Sequence, residues 1–526
     1  MFGRLRAVNT RNLWGWGEVE AAVSVEETQG RVEPFFGVSE VESAALPRLS
    51  PSRLEVPPQL AGFSSSSDFD RASHAMGKGY PDRVRGFRGD FSMAPDLVVT
   101  PSNERELTLT LELAERERLS VTPFGGGSSV VGGVEPKLGP GHRASLSLDL
   151  SRLGKLLELD EVSQVARLEA GVFGPALEQQ LGARGFTLRH YPQSFEFSTL
   201  GGWIATRAGG HFATVLTHID DLVQSVRMVT PRGLFETKCF PASGAGVDPN
   251  RLVIGSEGTL GVITEAWMRV RPRPTFRAGA SMHFENFERA VDATRAIAQS
   301  GLAPSNCRLL DAQEAMINGV SFDGSAVLVL GFESAVHPLE AWIDRAVALA
   351  ESFGGTCPRG KTTGSRPGDA GESWRASFLK GPYLQDAMIR LGIVADTFET
   401  ACTWRAFPLL YSSVTEAMRE GLQRICGGGV VTCRFTHVYP DGPAPYFTFL
   451  GRAKKGAELE QWGELKQLAG DSLAKAGGTI THHHAVGRTH RPWYDRERPG
   501  LFATALRAVK REFDPAGMLN PGVLID

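Results

Sequence analysis

Three consecutive histidines, His482, His483 and His484, stand in the run Gly477-Gly478-Thr479-Ile480-Thr481-His482-His483-His484-Ala485-Val486-Gly487-Arg488. Imidazole is the side chain whose ordinary pKa lies nearest neutrality, so three in a row suit proton handling, the holding of an anion, or ligation of a metal. The segment reads as a strand, on which His482 and His484 face one way and His483 the other. A metal would use the His482/His484 pair, but the neighbouring sequence offers no carboxylate or thiolate to complete a site, so no metal is expected. Histidines that only satisfy hydrogen bonds within a buried strand are the structural alternative.

Glycine-rich stretches far upstream bring a second kind of chemistry. Pro123-Phe124-Gly125-Gly126-Gly127-Ser128-Ser129 follows the short strand Ser120-Val121-Thr122. Its three glycines allow positive φ and let successive N–H groups converge, which cradles a phosphate without a cation. Gln193-Ser194-Phe195-Glu196-Phe197-Ser198-Thr199 leads through Gly201-Gly202-Trp203 into Thr206-Arg207-Ala208-Gly209, where glycines permit close packing on a large planar ligand. In Glu257-Gly258-Thr259-Leu260-Gly261-Val262-Ile263 glycines bracket the entry to a strand. None of these carries the GxGxxG strand-turn-helix fingerprint or a P-loop.

The elements that must position these residues alternate between strands and helices, which predicts an α+β chain. Residues 1–90, with Trp14-Gly15-Trp16-Gly17 and Ser64-Ser65-Ser66-Ser67, read as an extension with a few helices. Residues 91–274 hold short strands such as Leu97-Val98-Val99 and Val165–Ala170, and an amphipathic helix over Glu104–Arg118 with Leu107, Leu111 and Ala114 on its apolar side. Pro272 and Pro274 cannot continue a central strand and mark a linker. A second domain, residues 275–500, follows. It has a helix from Phe287, a strand Ala326–Glu333, a helix Pro338–Phe353, a glycine-rich loop 354–369 read as mobile, strands Val430–Tyr439 and Tyr446–Leu450, and a helix Glu458–Ala476. Residues 501–526 supply a last helix, Leu501–Phe513, and a tail.

Bulk properties exclude several classes. The 526 residues are 42% hydrophobic and 22% charged, and 56 Lys+Arg against 59 Asp+Glu give a net charge of −3. There is no global basic field for nucleic acid. Six cysteines without a CxxC pair indicate neither a zinc knuckle nor a disulfide framework, which fits a reducing cytoplasm. No membrane span or secretory leader is expected.

Taken together and in order, Pro95–Pro101, the PFGGGSS loop, the STLGGW segment, Asp221-Leu222-Val223 and the GSEGTLGVITE segment resemble the PCMH-type (vanillyl-alcohol-oxidase) FAD-binding domain over Ala94–Pro274. That resemblance implies a two-subdomain FAD-binding domain followed by an α+β cap over the flavin. It assigns Pro123–Ser129 to the pyrophosphate, and Gln193–Thr199, Thr206–Gly209 and Glu257–Ile263 to the adenosine and isoalloxazine. The PFGGGSS loop has no histidine, so FAD is expected to be non-covalent. The segment His190–Trp203, the run Val226–Gly233 and the histidine triplet in its Gly-Gly-x-x-x-His-His-His-x-Val-Gly context are further similar to the alkyldihydroxyacetonephosphate synthase family.

That second resemblance implies exchange of the acyl group of acyl-dihydroxyacetone phosphate for a fatty alkoxy group through a flavin N5 adduct, with no net redox change. It makes Tyr446 the acid/base residue, its pKa near 10 to be lowered by the neighbouring imidazoles. It places Arg308 near flavin or substrate and the histidine triplet at the departing carboxylate. Gln385 stands where the family usually has a substrate-binding arginine, and Arg390 could substitute only if its helix were displaced. Lipid substrates, a homodimer and peripheral membrane contact are compatible with this reading. The alternative is a FAD-linked oxidase or dehydrogenase of a 2-hydroxy acid or alcohol.

Overall fold

The computed structural model describes residues 11–37, 41–363 and 370–526. The first ten residues of the extension and positions 364–369 of the glycine-rich loop therefore lie outside the described residues. The fold is α+β, with two smaller sheets in the first half of the chain and one large sheet in the second.

The first sheet orders Ser64–Ser65, Leu97–Val99, Ala144–Asp149 and Leu119–Phe124, the last three mutually parallel. Its crossover helix, Glu104–Arg116, starts where the Asn103 side chain accepts from the Glu106 N–H. That cap satisfies one of the donors a helix start leaves free. The helix buries Leu107, Leu111 and Ala114, as its spacing predicts. The second sheet is antiparallel, in the order Leu156–Asp160, Val165–Glu169, Val262–Arg269, Val223–Thr230 and Gly233–Glu236. The predicted linker is more ordered than a proline-rich run suggests: Arg271–Pro272 pairs with Phe186–Thr187. Only then does the next sheet begin, at Phe276.

Seven strands form the large sheet: Thr362–Thr363, Phe276–Phe284, Ala326–Ser334, Asn306–Leu310, Gly429–Val438, Pro443–Arg452 and Ile393–Glu399. Every neighbouring pair is antiparallel. The strand around Tyr446 is longer than predicted and starts at Pro443, despite a second proline at Pro445. It tolerates them because the partner strand shifts register between Phe435 and His437, beside the missing proline N–H groups.

Side chains alternate across this sheet. Cys433, Phe435, Phe447 and Phe449 point into apolar cores, and helices Phe407–Cys426 and Glu458–Lys475 cover Cys433, Phe447 and Phe449. Arg434, Thr436, Tyr446 and Thr448 point to the opposite face, which lines a cleft. The sheet is therefore a platform, apolar beneath and polar above.

The amino-terminal extension closes one flank. Val25 and Val32 of the helix Val25–Phe36 pack on Ala387 and Leu391 of the helix Ala370–Arg390. Asp386 on that helix accepts the Trp16 N–H at 2.6 Å and pairs with buried Arg83 at 2.9 Å. At the carboxyl end, the Val121 N–H donates to Met518 and the Asn520 N–H to Val121, joining the tail to the first sheet. Among the described residues no helix is long and apolar enough to cross a membrane.

Phe447 is fully buried and stacks on Phe398 at 4.9 Å. Phe447→Ala should lower unfolding stability by about 3–5 kcal/mol, read by denaturant titration. A loss below about 1 kcal/mol would mean that the cavity collapses at little cost.

Candidate active site

The cleft lies between the polar face of the large sheet and the glycine-rich loops of the first half of the chain. It encloses about 2140 Å³, counting its open mouth. At the centre of its floor is Tyr446, whose O–H donates to Thr397 Oγ1 at 2.9 Å. The Arg434 guanidinium lies 3.9 Å over the Tyr446 ring and pairs with buried Glu314 beneath. Burial pushes the Tyr446 phenol up to about 12, against the opposing pull of Arg434. This corrects the expectation that neighbouring imidazoles lower it: in this site desolvation of the phenolate outweighs the nearby cation.

The histidine triplet also departs from expectation. Residues 479–486 form no strand; they make an irregular loop wrapped around one carboxylate, Glu399. Glu399 Oε1 accepts the backbone N–H groups of His482 (3.1 Å), His483 (2.7 Å) and His484 (2.7 Å), and the Thr481 hydroxyl at 2.7 Å. The His483 ring pairs with the same carboxylate. Three backbone donors aimed at one oxygen need a tight turn, incompatible with strand alternation, and Ala485 takes a positive φ of 69° to complete it. The rings therefore do not point to opposite faces. His483 and His484 lie 4.8 Å apart, and both line the cleft beside Tyr446, at 6.1 and 5.4 Å.

Glu399 is also the carboxylate that the local sequence did not supply. Nitrogens of His437, His482 and His483 approach within 4.8 Å of one another, as do the ligand atoms of Glu399, His483 and His484. The His482 and His437 nitrogens are already engaged. His482 Nε2 is 2.7 Å from the Tyr439 hydroxyl and 3.1 Å from His218 Nε2, and the His437 Nε2–H donates to the Gly210 carbonyl at 3.0 Å. Burial presses three of these rings toward neutrality: His484 is lowered to about 4, and His482 and His437 fall well below the usual histidine value. Burial works against the Glu399 carboxylate as well, yet the His483 and His484 rings beside it hold it well below the carboxylate range.

The opposite wall is made by Gly125 to Ser129, Gln193, Ser194, Ser198, Thr199, Thr206, Ala208 and Gly209. A Cβ on Gly126 would enter the Phe197 carbonyl oxygen, so that loop runs backbone against backbone. A Cβ on Gly209 would stand 3.0 Å from His483 and 3.1 Å from His437. Lys78, also in the wall, is buried and lowered to about 7 by that burial, with its Nζ donating to the Asn12 and Leu13 carbonyls. An uncharged Gly-Ser backbone beside one buried ammonium suits an anionic diphosphate, and glycines opposite an aromatic and imidazole face admit a flat ring. The donor set fits FAD.

Other sequence-predicted residues fall outside the wall. Pro123, Phe124 and Phe197 support the glycine loop from behind; Phe195 stacks on Trp203, and Glu196 sits in the same short turn. Arg207 turns outward and pairs with Asp220. Leu260 and Ile263 are buried in one apolar core and Val262 in another, with Gly258, Thr259 and Gly261 in the same segment. Glu257 is buried, raised to about 7 by desolvation, and accepts the Val486 and Gly487 N–H groups at 2.9 and 2.8 Å. It holds the histidine loop from the other side.

Arg308 lines the cleft, its burial lowering it to about 9, and donates to the His211 carbonyl. Gln385 lines the cleft with its amide donating to the Ala395 carbonyl at 2.5 Å. Arg390 instead turns to the Glu42 carbonyl of the extension, so it does not replace the missing arginine charge. The sequence reading missed Glu399, His437, Arg434 and Lys466. For the two strand residues a signal existed, since His437 and Arg434 interrupt an otherwise apolar run.

Family comparisons agree with this geometry. The profile described as FAD binding domain matches residues 95–237, and that described as FAD linked oxidases, C-terminal domain, matches residues 273–524. The protein is thus an FAD-dependent flavoprotein of the FAD-linked oxidase class. It is 30% identical to an alkyldihydroxyacetonephosphate synthase of Trypanosoma brucei brucei, over 94% of this chain and 84% of that one. It is 31% identical to that of Dictyostelium discoideum, over 86% and 77%. A solved alkyldihydroxyacetonephosphate synthase structure, 25% identical, superposes with a TM-score of 0.81 over 98% of both chains. The chain belongs to the alkyldihydroxyacetonephosphate synthase family.

Two outcomes follow from the site. Gly126→Val should purify without flavin absorbance, because the loop can no longer pack on Phe197; normal flavin content would overturn this account of the wall. The second concerns pH. His484 and His490 fold with pKa values of about 4 and about 3, below the ordinary 6.5, so the unfolded chain binds more protons as pH falls. Stability should therefore drop from pH 6.5 toward 4, and further below 4.5 as Glu399 begins to protonate. A thermal midpoint flat across that range would contradict buried neutral rings.

Proposed function

We propose that this protein exchanges the acyl group of acyl-dihydroxyacetone phosphate for a fatty alkoxy group, forming an ether lipid precursor without net redox change. The observation that carries this reading is the contact of Tyr446 with His483 and His484, in one cleft with the glycine wall, in a chain related to named synthases. Bound FAD supplies the centre at which bonds to the substrate carbon are exchanged.

The residues divide the remaining work. The neutral His484 ring is competent to take the carbon-bound proton, and the neutral Tyr446 phenol is competent to donate one. In this reading Tyr446, expected as the acid/base residue, acts on the acid side, which follows from the directions in which burial shifts both kinds of group. Arg308 and Lys466, both in the cleft wall, supply positive charge for the substrate phosphate and the departing carboxylate. Gln385 contributes a hydrogen-bond donor but no charge. FAD is held non-covalently, since Gly125–Ser129 carries no histidine. No metal is assigned a role: the His437 and His482 nitrogens bond to Gly210, His483, His218 and Tyr439. Fatty chains enter where Ile317 lines the cleft, and the exposed Met316, Ile317 and Phe322 there offer a surface for peripheral membrane contact.

Gln385, where the family carries arginine, favours a second reading in which a hydroxy acid or alcohol is oxidised. One assay separates the two: purified holoprotein with acyl-dihydroxyacetone phosphate and labelled hexadecanol. Label should enter product without oxygen consumption, and chelator should not change the rate. Absence of incorporation, with anaerobic bleaching of the flavin by a hydroxy acid, would sink the transferase. His484→Ala should abolish exchange and keep its flavin; loss of flavin would instead assign His484 to the cofactor.

A further inference from the structure

The exchange proposed above leaves a proton behind. The alcohol oxygen bonds to the substrate carbon, the acyl group departs as a carboxylate with the bonding electron pair, and the carbon-bound proton is taken and returned. The alcohol O–H proton remains, one per turnover. It is released beside buried rings, His437 and His484, whose charged forms burial disfavours, so it needs a route out.

The structure holds a connected set of polar groups leading away from the cleft. His483 lines the cleft, and its Nδ1 is 3.0 Å from His482 Nδ1. His482 is not part of the cleft lining. Its Nε2 is 2.7 Å from the Tyr439 hydroxyl and 3.1 Å from His218 Nε2, and the Tyr439 hydroxyl is 2.9 Å from Thr217 Oγ1. The His218 and His482 rings meet edge to face at 4.5 Å. His218 and Tyr439 are half-buried and absent from the cleft lining, so they stand on the far side of the histidine loop. Beyond them Asp220 pairs with Arg207 and Arg251, whose side chains are both 55% exposed.

Rings and hydroxyls at hydrogen-bond distance in series can hand a proton along by shifting each bond in turn. We propose that His482, Tyr439 and His218 form a proton exit from the cleft, taking the alcohol-derived proton from His483 toward the buried Asp220 carboxylate and the exposed Arg207 and Arg251 paired with it. The proposal rests on the exchange reading. His218 and Tyr439 touch neither substrate nor cofactor and act through His482 and His483. The charged and titratable groups facing His218 are His190, His437, His482, His483, Asp220, Arg207 and Glu399. Burial, chiefly, keeps His218 at about 4, so it starts neutral and ready to receive.

The test uses FAD-loaded full-length enzyme, comparing wild type with Tyr439→Phe, which removes one oxygen atom, and His218→Ala. Flavin content, kcat and KM for labelled hexadecanol, and the solvent deuterium isotope effect are measured, with and without added imidazole. Flavin content and KM should hold, while kcat falls on the order of 100-fold in His218→Ala and recovers with imidazole. The solvent isotope effect should rise in Tyr439→Phe. Wild-type kcat and isotope effects in both variants would overturn the conduit alone. A kcat loss that imidazole does not restore, in protein that keeps its flavin, would overturn it in favour of loop positioning. Failure of wild-type enzyme to incorporate hexadecanol would instead overturn the exchange reading, and the conduit with it.

Discussion

The carboxylate of Glu399 organises this site. It closes the strand Ile393–Glu399 directly opposite Tyr446, so its distance from the phenol is set by strand pairing. One of its oxygens then gathers three consecutive backbone N–H groups and a hydroxyl from a loop that has no regular structure of its own. Burying an anion is costly unless it is fully paired, and here the compensating donors are the main chain of the residues whose rings do the chemistry. Loop shape and charge balance are therefore one constraint. Glu257 grips the next two residues of the same loop, so carboxylates from both halves of the chain meet at one segment.

This arrangement explains how so many imidazoles can sit together. Adjacent protonated rings would repel each other strongly, and burial eases that conflict by shifting His437, His482 and His484 toward their neutral forms. Charge in the cleft is concentrated instead on its floor, where Arg434 lies over the Tyr446 ring and is balanced beneath by Glu314.

Much of this was legible in the chain. Period-two alternation around Phe447 and Phe449 identified the strand carrying Tyr446, and 3.6-residue spacing located the helix from Glu104. The glycine loops were readable because their chemistry is local: consecutive N–H groups need consecutive small residues. The histidine loop was misread as a strand because its conformation is dictated by Glu399, which lies far away in sequence and is flanked by nothing unusual. His218 escaped notice for the same reason. It is a lone histidine whose partners appear only when two sheets and a loop converge. In segment Glu257–Ile263 the glycines serve close packing, Gly258 against Pro123 and Gly261 against Met228.

The cleft draws its walls from opposite ends of the chain. Trp16 and the glycine loop come early, Tyr446 and the histidines near the end, and the closing residues after Met518 return to the first sheet. During synthesis the glycine loop therefore emerges without an opposing face, and the carboxylate grips on residues 481–487 cannot form until most of the chain is available. Cofactor capture becomes a late event in assembly, after the large sheet has closed. A flavin retained in the finished protein thus reports that the last strands and the tail have found their places.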